Sequence, residues 1–349
     1  MSETAAFYAV TTADYFTGLV ALLNSLRLTG HQQELVVLDD GLTPAQRERL
    51  EPYVTLVQLP GFEPGLPVLK KTFPDLLSRT GVIAQIDTDM IVTRSLEPQL
   101  AEAASGRIVL FPDHESNHDR WFAEWEESFR LAGPPRRQTY LNAGFVAFSI
   151  ERWPDLLPRW REACATIPPE RVAVAPGLLP RSTVMAREPF WAADQDALNA
   201  ILMAELPEKA VAVQPVGAEP DWLSEVEVVD RATLECRYRG GEAAILHFSL
   251  APKPWQRNGW RRATRNAYLE LLPRVLLEDD VVLRLEPREL PRWLRGDARA
   301  RVTLTALDGA WRGRDGLMRT ARAGVRRLPE GVRAPLLGVR DRIAARRLL

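Results

Sequence analysis

Lysine is scarce in this sequence, because only four of its 45 basic residues are lysine and all the others are arginine. A GC-rich codon bias is one explanation for the preference. Under such a bias, a lysine is kept where a compact point charge is needed, since the two side chains present their charge differently. The four lysines are Lys70, Lys71, Lys209 and Lys253.

Other absences narrow the class of protein. The cysteines, Cys164 and Cys236, form neither a metal-binding spacing nor a disulfide framework, which favours a reduced cytoplasmic setting. No apolar run reaches the roughly 18 residues of a membrane span, and the segment MSETAAFYAV lacks the features of a signal peptide. The formal net charge of −1 gives no reason to expect nucleic acid as a partner.

Positive charge is concentrated at the end of the 349-residue chain. Residues 299–349 contain 13 arginines and four acidic residues, a net charge of about +9. Residues 316–349 carry apolar stripes at helical spacing. This basic segment could make peripheral contact with an anionic membrane surface, or it could dock as a pair of helices on the rest of the protein. We favour docking, and both interpretations stay open.

Strand and helix patterns alternate along the first part of the chain. The alternation predicts a mostly parallel sheet with helices on both faces. Later segments predict a strand at 140–150, a helix at 193–206 and strands at 225–229 and 242–249. In the first part, strands are predicted at 5–10, 34–40, 54–59 and 82–86, and helices at 16–28, 42–53 and 73–79.

The segment VIAQIDTDMIV, residues 82–92, places two acids at the end of an apolar strand. In an extended chain, the Cα atoms of Asp87 and Asp89 lie about 7 Å apart and their side chains leave the same face. Two such carboxylates repel each other unless a cation lies between them. Ligands of open α/β sheets bind beyond the carboxyl ends of strands. The pattern therefore predicts a divalent metal site.

A second strand end carries His247 and, six residues later, Lys253, in the segment HFSLAPKPW (247–255). An imidazole can bind a metal while a nearby ammonium group binds phosphate oxygens. Two carboxylates, one imidazole and phosphate oxygens suit Mn²⁺ or Mg²⁺, and the imidazole favours Mn²⁺.

Five segments occur in an order that resembles glycosyltransferase family 8, which includes glycogenin and bacterial lipopolysaccharide galactosyl- and glucosyltransferases. The resemblance covers roughly residues 5–260. It implies a GT-A fold, with a mostly parallel mixed sheet flanked by helices in residues 1–262, followed by a basic helical extension in residues 263–349. The segments are VTTADYFTGLVALLNSL (10–26), the stretch from Lys71 to the Asp-Thr-Asp motif, LNAGF (141–145), DQDALN (194–199) and HFSLAPKPW.

The resemblance implies a donor site in the first half of the chain. Val10, Thr12 and Tyr15 match positions that hold uracil and ribose, although a strand end followed by a helix cap also explains them. Lys71 matches a basic residue near the donor sugar and phosphates. Lys70 takes that place if the alignment slips by one residue.

The metal and diphosphate positions follow in the same way. Asp87, Asp89 and His247 match the metal ligands, with Asp87 also near the ribose, and Lys253 matches the diphosphate clamp. Asn142 matches a residue beside the donor sugar. A polar residue in a bend explains Asn142 equally well.

Asp194, Gln195 and Asp196 match residues next to the reacting sugar carbon and are candidate catalytic residues together with Lys253. Acids at a helix N-terminus also favour the helix without any catalytic role. The family usually has Gly three residues after the metal-binding His, where this chain has Leu250. The Gly lets the backbone approach the phosphates in the family, so Leu250 leaves both the loop geometry and the activity open.

The activity implied is retaining, metal-dependent transfer of a sugar from a UDP-sugar donor to a glycan, lipid-linked or other hydroxyl acceptor. Segment 111–125, with Trp121 and Trp125, could form aromatic platforms for the acceptor or could be packed against the protein. Two alternatives stay open. One is a non-catalytic nucleotide-sugar-binding homologue, suggested by Leu250. The other is a sugar nucleotidyltransferase, for which VTTADYFTG lacks the expected Gly-rich signature.

Overall fold

The computed structural model describes residues 4–59, 70–77, 81–168, 188–256, 258–262, 265–300, 302–306 and 309. The basic segment 316–349 lies outside the described residues. Both interpretations of it, membrane contact and docking on the protein, therefore stay predictions. No helix within the described ranges combines the length and apolar character needed to cross a membrane.

The largest sheet has seven strands in the order β3–β2–β1–β4–β7–β6–β8. All neighbouring strands in it run parallel except β7, which is antiparallel to both β4 and β6. The predicted mostly parallel mixed sheet is therefore confirmed. The strands are β1 (Ala5–Thr11), β2 (Glu34–Asp39), β3 (Thr55–Val57), β4 (Val82–Ile86), β5 (Met90–Val92), β6 (Ile108–Pro112), β7 (Leu141–Ser149), β8 (Val211–Val213), β9 (Glu227–Asp230), β10 (Glu235–Tyr238), β11 (Gly241–Glu242) and β12 (Ile245–His247).

Helices cover both faces of this sheet. Successive side chains of β1 alternate between two apolar clusters, as the period of two in a strand requires: Phe7 and Ala9 enter one cluster and Tyr8 enters the other. The first cluster includes α1 and α7, and the second includes α5 and α6. The helices are α1 (Phe16–Leu28), α2 (Pro44–Leu50), α3 (Glu97–Ala104), α4 (Trp125–Ser128), α5 (Leu156–Ala165), α6 (Asp194–Ala204) and α7 (Ala267–Leu277).

Local sequence explains where several elements begin. Thr43 caps α2: its side chain accepts a hydrogen bond from the backbone of Gln46, and the Gln46 side chain accepts one from the Thr43 backbone. Pro44 occupies the first helical position, where its missing N–H has no cost. The predicted helix at 73–79 is instead a short 3-10 helix at Phe73–Leu77 in its described part.

The segment after residue 262 shares a core with α1. Asn24 is fully buried, and its amide nitrogen donates to the carbonyl oxygens of Val275 (2.6 Å) and Leu283 (2.8 Å). Its side-chain oxygen accepts from the Leu283 backbone at 3.0 Å. The boundary between residues 1–262 and 263–349 stays a prediction.

The predicted strand at 242–249 is interrupted. β11 and β12 are separate because the chain between them bonds elsewhere: the Ala243 oxygen accepts from the Thr93 hydroxyl (2.8 Å), and the Ala244 nitrogen donates to the Ala218 oxygen (2.7 Å). β12 then pairs antiparallel with β5, with His247 opposite Met90. This two-stranded ribbon positions the candidate site.

Candidate functional site

The Asp-Thr-Asp turn connects β4 to β5. The Asp87 nitrogen donates to the Gly144 oxygen at 2.8 Å, which extends the β4–β7 pairing by one residue. Beyond the turn, the Phe248 nitrogen donates to the Asp89 oxygen at 3.0 Å. The ribbon of β5 and β12 thus brings His247 beside Asp89, although these residues are far apart in the sequence.

Asp87, Asp89 and His247 form a compact group, the Asp-Asp-His cluster, in which one ligand atom of each residue lies within 4.8 Å of those of the others. The Nε2 atom of His247 is 3.3 Å from Asp89 Oδ1 and 4.0 Å from Asp87 Oδ2. Asp89 Oδ1 is buried and accepts no hydrogen bond from the described residues. A buried carboxylate oxygen without a donor, facing an imidazole nitrogen, fits a divalent cation.

Burial and mutual repulsion govern the charges of this cluster. Burial raises the pKa of Asp87 although Lys71 opposes the rise, and the neighbouring carboxylate of Asp89 raises it further. Burial also opposes ionisation of Asp89, but Lys253 and His247 outweigh it and lower the pKa of Asp89. Burial lowers the pKa of His247, but the carboxylates of Asp89 and Glu219 outweigh it and raise this pKa to about 10. The carboxylates of Asp89 and Glu219 thus stabilise a positive charge that lies beside them.

Lys71, not Lys70, reaches the cluster. Its Nζ atom lies 3.0 Å from Asp87 Oδ2 and 3.0 Å from Asp194 Oδ2. Lys70 forms an ion pair with Asp40 instead. The structure thus brings together Lys71, the first acid of the turn and the first residue of α6.

Lys253 folds back over the cluster. Its ammonium group contacts Asp89 Oδ2 and donates to the Phe248 oxygen at 2.7 Å. The same ammonium lies 5.8 Å from the centre of the Tyr15 ring. Burial, with Asp89 and Asp87, raises the pKa of Tyr15. Lys253 and Tyr15 therefore lie next to the acids of the Asp-Asp-His cluster.

The predicted nucleobase positions lie at the end of β1. Val10 is within this strand and Thr12 follows it directly, while their role in holding uracil and ribose stays a prediction. Trp255 joins this loop to the loop that carries Lys253, because its Nε1 donates to the Asp14 oxygen at 2.8 Å. The Trp255 ring also meets the Tyr15 ring edge-on, with 6.4 Å between their centres.

The three candidate catalytic residues at the start of α6 have different surroundings. Asp194 contacts Lys71, and the Gln195 side-chain oxygen accepts from the Ala143 nitrogen at 2.9 Å. Asp196 is turned away: its buried carboxylate accepts hydrogen bonds from Arg120, from the Tyr140 hydroxyl and from the Ala192 nitrogen. The structure therefore brings Asp194 and Gln195, but not the carboxylate of Asp196, to the side of the cluster.

Glu219 is a site residue without any motif in the sequence. Its Oε1 atom lies 2.8 Å from His247 Nδ1 and accepts from the Asn142 side chain at 3.0 Å. Burial raises the pKa of Glu219, although His247 lowers it. A carboxylate on one imidazole nitrogen fixes the ring so that the other nitrogen can bind a metal. The predicted place of Asn142 beside the sugar stays a prediction.

Glu219→Gln tests this orientation. We expect the affinity for Mn²⁺ to fall by roughly 10- to 100-fold, because the imidazole loses the carboxylate that orients it. Isothermal titration calorimetry with MnCl₂ measures the change. Glu225→Gln is the matched control, since Glu225 is an exposed acid nearby whose partner is Arg239. Equal Mn²⁺ affinity in the wild type and Glu219→Gln would contradict the assignment.

The absence of a side chain at Gly144 makes room for the His247 ring. A Cβ atom at this position would lie 2.8 Å from His247 Cε1 and 2.4 Å from Met90 Cε. No side chain larger than hydrogen fits there without displacing the imidazole or the end of the Met90 side chain. The glycine of the LNAGF segment is thus explained by the close approach of the His247 ring.

We expect Gly144→Ala to weaken Mn²⁺ binding by about tenfold or more, since overpacking of about 1–3 kcal/mol displaces the ring. Calorimetry with MnCl₂ again gives the affinity. Gly133→Ala is the control, because a Cβ there would meet no atom within 4 Å. Unchanged Mn²⁺ binding in Gly144→Ala would mean that the ring can move without loss of the site.

The aromatic residues of segment 111–125 are mostly packed. Trp125 is fully buried, so packing explains it, and it cannot stack on a sugar. Trp121 Nε1 donates to the Pro135 oxygen at 2.7 Å, and the Arg137 guanidinium lies 4.3 Å from the centre of its ring.

No family model and no curated protein matches the chain. Among solved structures, the apo form of the bifunctional glycosyltransferase WbbM matches with a TM-score of 0.50 and 13% identity. The match covers 81% of this chain and 50% of WbbM, so the chain spans half the length of that protein. The chain has the GT-A fold.

Two further solved glycosyltransferase structures align less well. The galactosyltransferase LgtC, in complex with donor and acceptor sugar analogs, has a TM-score of 0.45 and 14% identity, covering 79% of this chain and 98% of LgtC. The glycosyltransferase GlyE of Streptococcus pneumoniae TIGR4 has a TM-score of 0.43 and 14% identity, covering 74% of this chain and 57% of GlyE. The match to WbbM and the mixed seven-stranded sheet confirm the GT-A fold implied by the resemblance to family 8.

Proposed function

We propose that this protein is a metal-dependent retaining glycosyltransferase, which moves a sugar from a UDP donor to a hydroxyl group of a glycan or lipid-linked acceptor. The observation that carries the proposal is the Asp-Asp-His cluster, whose ligand atoms lie within 4.8 Å of one another at the carboxyl end of β4. In a GT-A fold this arrangement suits a cation that binds a diphosphate. Mn²⁺ is the proposed cofactor, with Mg²⁺ as the second choice.

The two lysines supply the remaining positive charge. Asp87, Asp89 and His247 would hold a divalent cation, which when bound would supply positive charge to the departing diphosphate. Lys253 lies at Asp89, where its ammonium can contact phosphate oxygens, and Lys71 lies between Asp87 and Asp194. Fixed positive groups of this kind stabilise the transition state because they need no rearrangement as charge develops.

In the proposed reaction, the bond between the anomeric carbon and the diphosphate oxygen breaks. The acceptor oxygen forms the new bond to that carbon, and the proton of the acceptor hydroxyl passes to the departing diphosphate. Asp194 and Gln195 contact the sugar as charge builds at its ring. Retention of anomeric configuration follows from the resemblance to family 8.

Surface aromatic groups near Gln195 support a carbohydrate acceptor. The Gln195 amide donates to Asp113 Oδ2 at 3.0 Å. The next residue, His114, packs edge-on against Trp222 with 4.9 Å between ring centres, and Trp222 is 49% exposed. An exposed indole offers a flat apolar face to a sugar ring, whereas Trp125 does not.

A thermal-shift panel of nucleotide sugars tests the donor. UDP-galactose, UDP-glucose, GDP-mannose and ADP-glucose are compared with and without MnCl₂. We expect selective stabilisation by a UDP-sugar with Mn²⁺, worth about 2.7 kcal/mol at a ligand concentration of 100 Kd. Release of UDP is then followed by chromatography. No stabilisation by any nucleotide sugar in the presence of Mn²⁺ would refute the proposal.

A non-catalytic nucleotide-sugar-binding protein is the second candidate, and Leu250 favours it. Leu250 packs against the apolar core in the loop between His247 and Lys253, where the family usually has Gly. Stabilisation by a UDP-sugar without any release of UDP would identify a binding protein. Release of pyrophosphate from UTP and a sugar 1-phosphate, with no release of UDP from a UDP-sugar, would identify a nucleotidyltransferase.

A further inference from the structure

The residue just before α6 has a strained backbone. Ala193 has φ 44° and ψ −104°, a region that residues with a Cβ atom rarely adopt. Such a conformation persists only where the surroundings enforce it, and strained residues cluster at functional sites. Asp194 and Gln195 follow directly, so the direction of both side chains depends on this turn.

A buried carboxylate reaches back across the strained turn. Asp196 is completely buried, and its Oδ2 accepts from the Ala192 nitrogen at 2.7 Å and from Arg120 Nη2 at 2.8 Å. Its Oδ1 accepts from Arg120 Nε at 2.6 Å and from the Tyr140 hydroxyl at 2.7 Å. Both oxygens are thus occupied, and none is left for a substrate.

The segment before the turn is fixed by side chains from other elements. These side chains donate hydrogen bonds to carbonyl oxygens on both sides of Ala193. The contacts are Arg120 Nη2 to the Glu188 oxygen (2.6 Å), Trp125 Nε1 to the Pro189 oxygen (2.6 Å) and Trp160 Nε1 to the Asp194 oxygen (2.8 Å).

We propose that Arg120, Asp196 and Tyr140 form a buried clamp that holds the strained turn at Ala193. The clamp aims Asp194 at Lys71 and Gln195 at the backbone of Ala143, where their contacts are 3.0 Å and 2.9 Å long. Asp196 and Arg120 are therefore positioning residues, and neither touches the substrate. The catalytic consequence rests on the proposed glycosyltransferase function.

Arg120→Lys tests the clamp. Lysine keeps the charge but lacks the planar fork, so it cannot hold Asp196 and the Glu188 oxygen together. We expect kcat for Mn²⁺-dependent hydrolysis of UDP-galactose or UDP-glucose to fall about 100-fold, since a misplacement of about 1 Å can have that effect. KM for the UDP-sugar and Kd for UDP with Mn²⁺ should stay within about twofold, because the Asp-Asp-His cluster and Lys253 are untouched.

Arg159→Lys is the matched control. Arg159, in α5, also forms a fork on a carboxylate, Glu205, and donates to the Phe129 oxygen at 2.7 Å, but Glu205 lies at the opposite end of α6 from Ala193. We expect a lower melting temperature with kcat within about threefold of the wild type. Equal losses of kcat in the two variants, or an unchanged kcat in Arg120→Lys, would overturn the clamp.

Two further measurements distinguish a failure of the clamp from a failure of the proposed function. Tyr140→Phe removes one donor to Asp196 and keeps the ring, so it provides a milder variant if Arg120→Lys does not fold; we expect a loss in kcat of about tenfold. Amide hydrogen exchange at 192–197 should accelerate in Arg120→Lys and not in Arg159→Lys. A wild type that releases no UDP refutes the proposed function, whereas unchanged exchange in Arg120→Lys refutes the clamp.

Discussion

Asp89→Ala is expected to abolish Mn²⁺-dependent release of UDP from UDP-sugars. Asp89 contributes an oxygen to the Asp-Asp-His cluster and contacts the ammonium group of Lys253, so its loss removes a proposed metal ligand and the carboxylate partner of the lysine. Removal of one electrostatic partner of a transition state lowers rates by about 100- to 1,000-fold. We expect at least this loss in kcat, together with loss of measurable Mn²⁺ binding.

The rate is followed by release of UDP, and Mn²⁺ binding by calorimetry. Asp155→Ala is the control, because Asp155 is exposed and its side chain makes no capping bond to α5. Circular dichroism checks that Asp89→Ala folds. If folded Asp89→Ala and His247→Ala both keep wild-type activity in Mn²⁺, the metal centre is elsewhere.

Arg120→Met is expected to cause the largest loss of stability. The Asp196 side chain is 0% exposed and the Arg120 side chain 3% exposed, so the variant leaves a carboxylate buried without its cation. Breaking such a pair costs about 3–5 kcal/mol. In a domain of this size, each kcal/mol lowers the melting temperature by roughly 2–4 °C. Arg159→Met should cost less, because Arg159 and Glu205 are 18% and 16% exposed and water can replace the partner.

This loss should depend on pH. Burial raises the pKa of Asp196 although Arg120 opposes it, and removal of Arg120 raises this pKa further. Between the unfolded and folded pKa values, the folded state binds a proton that the unfolded state lacks, so stability increases as pH falls. The deficit of Arg120→Met in urea unfolding should therefore be smaller at pH 5 than at pH 8. An equal deficit at both values would contradict this account.

The sequence predicted the parts of the site that local patterns determine. An apolar run that ends in two acids places Asp87 and Asp89 at a strand end whatever the rest of the chain does. The helix at 16–28 was predicted with the bounds that the structure has, because its apolar spacing is regular. His247 was predicted from its position at a strand end and from the order of the segments around it.

The remaining site residues depend on contacts between distant segments. Glu219 lies in irregular chain without a motif, and only the fold brings it to His247. Arg120 and Asp196 are 76 positions apart, and an acid at the start of a helix gives no sign of a buried partner. The backbone of Ala193 could not be foreseen either, because alanine seldom adopts a positive φ.

The ribbon of β5 and β12 joins residues separated by more than 150 positions, with Val92 opposite Ile245 and Met90 opposite His247. Contacts of such high sequence separation form late in folding, because a long loop must close first. A nascent chain that has not yet released β12 from the ribosome lacks the imidazole of the Asp-Asp-His cluster. The cluster is therefore complete only after most of the chain has been synthesised.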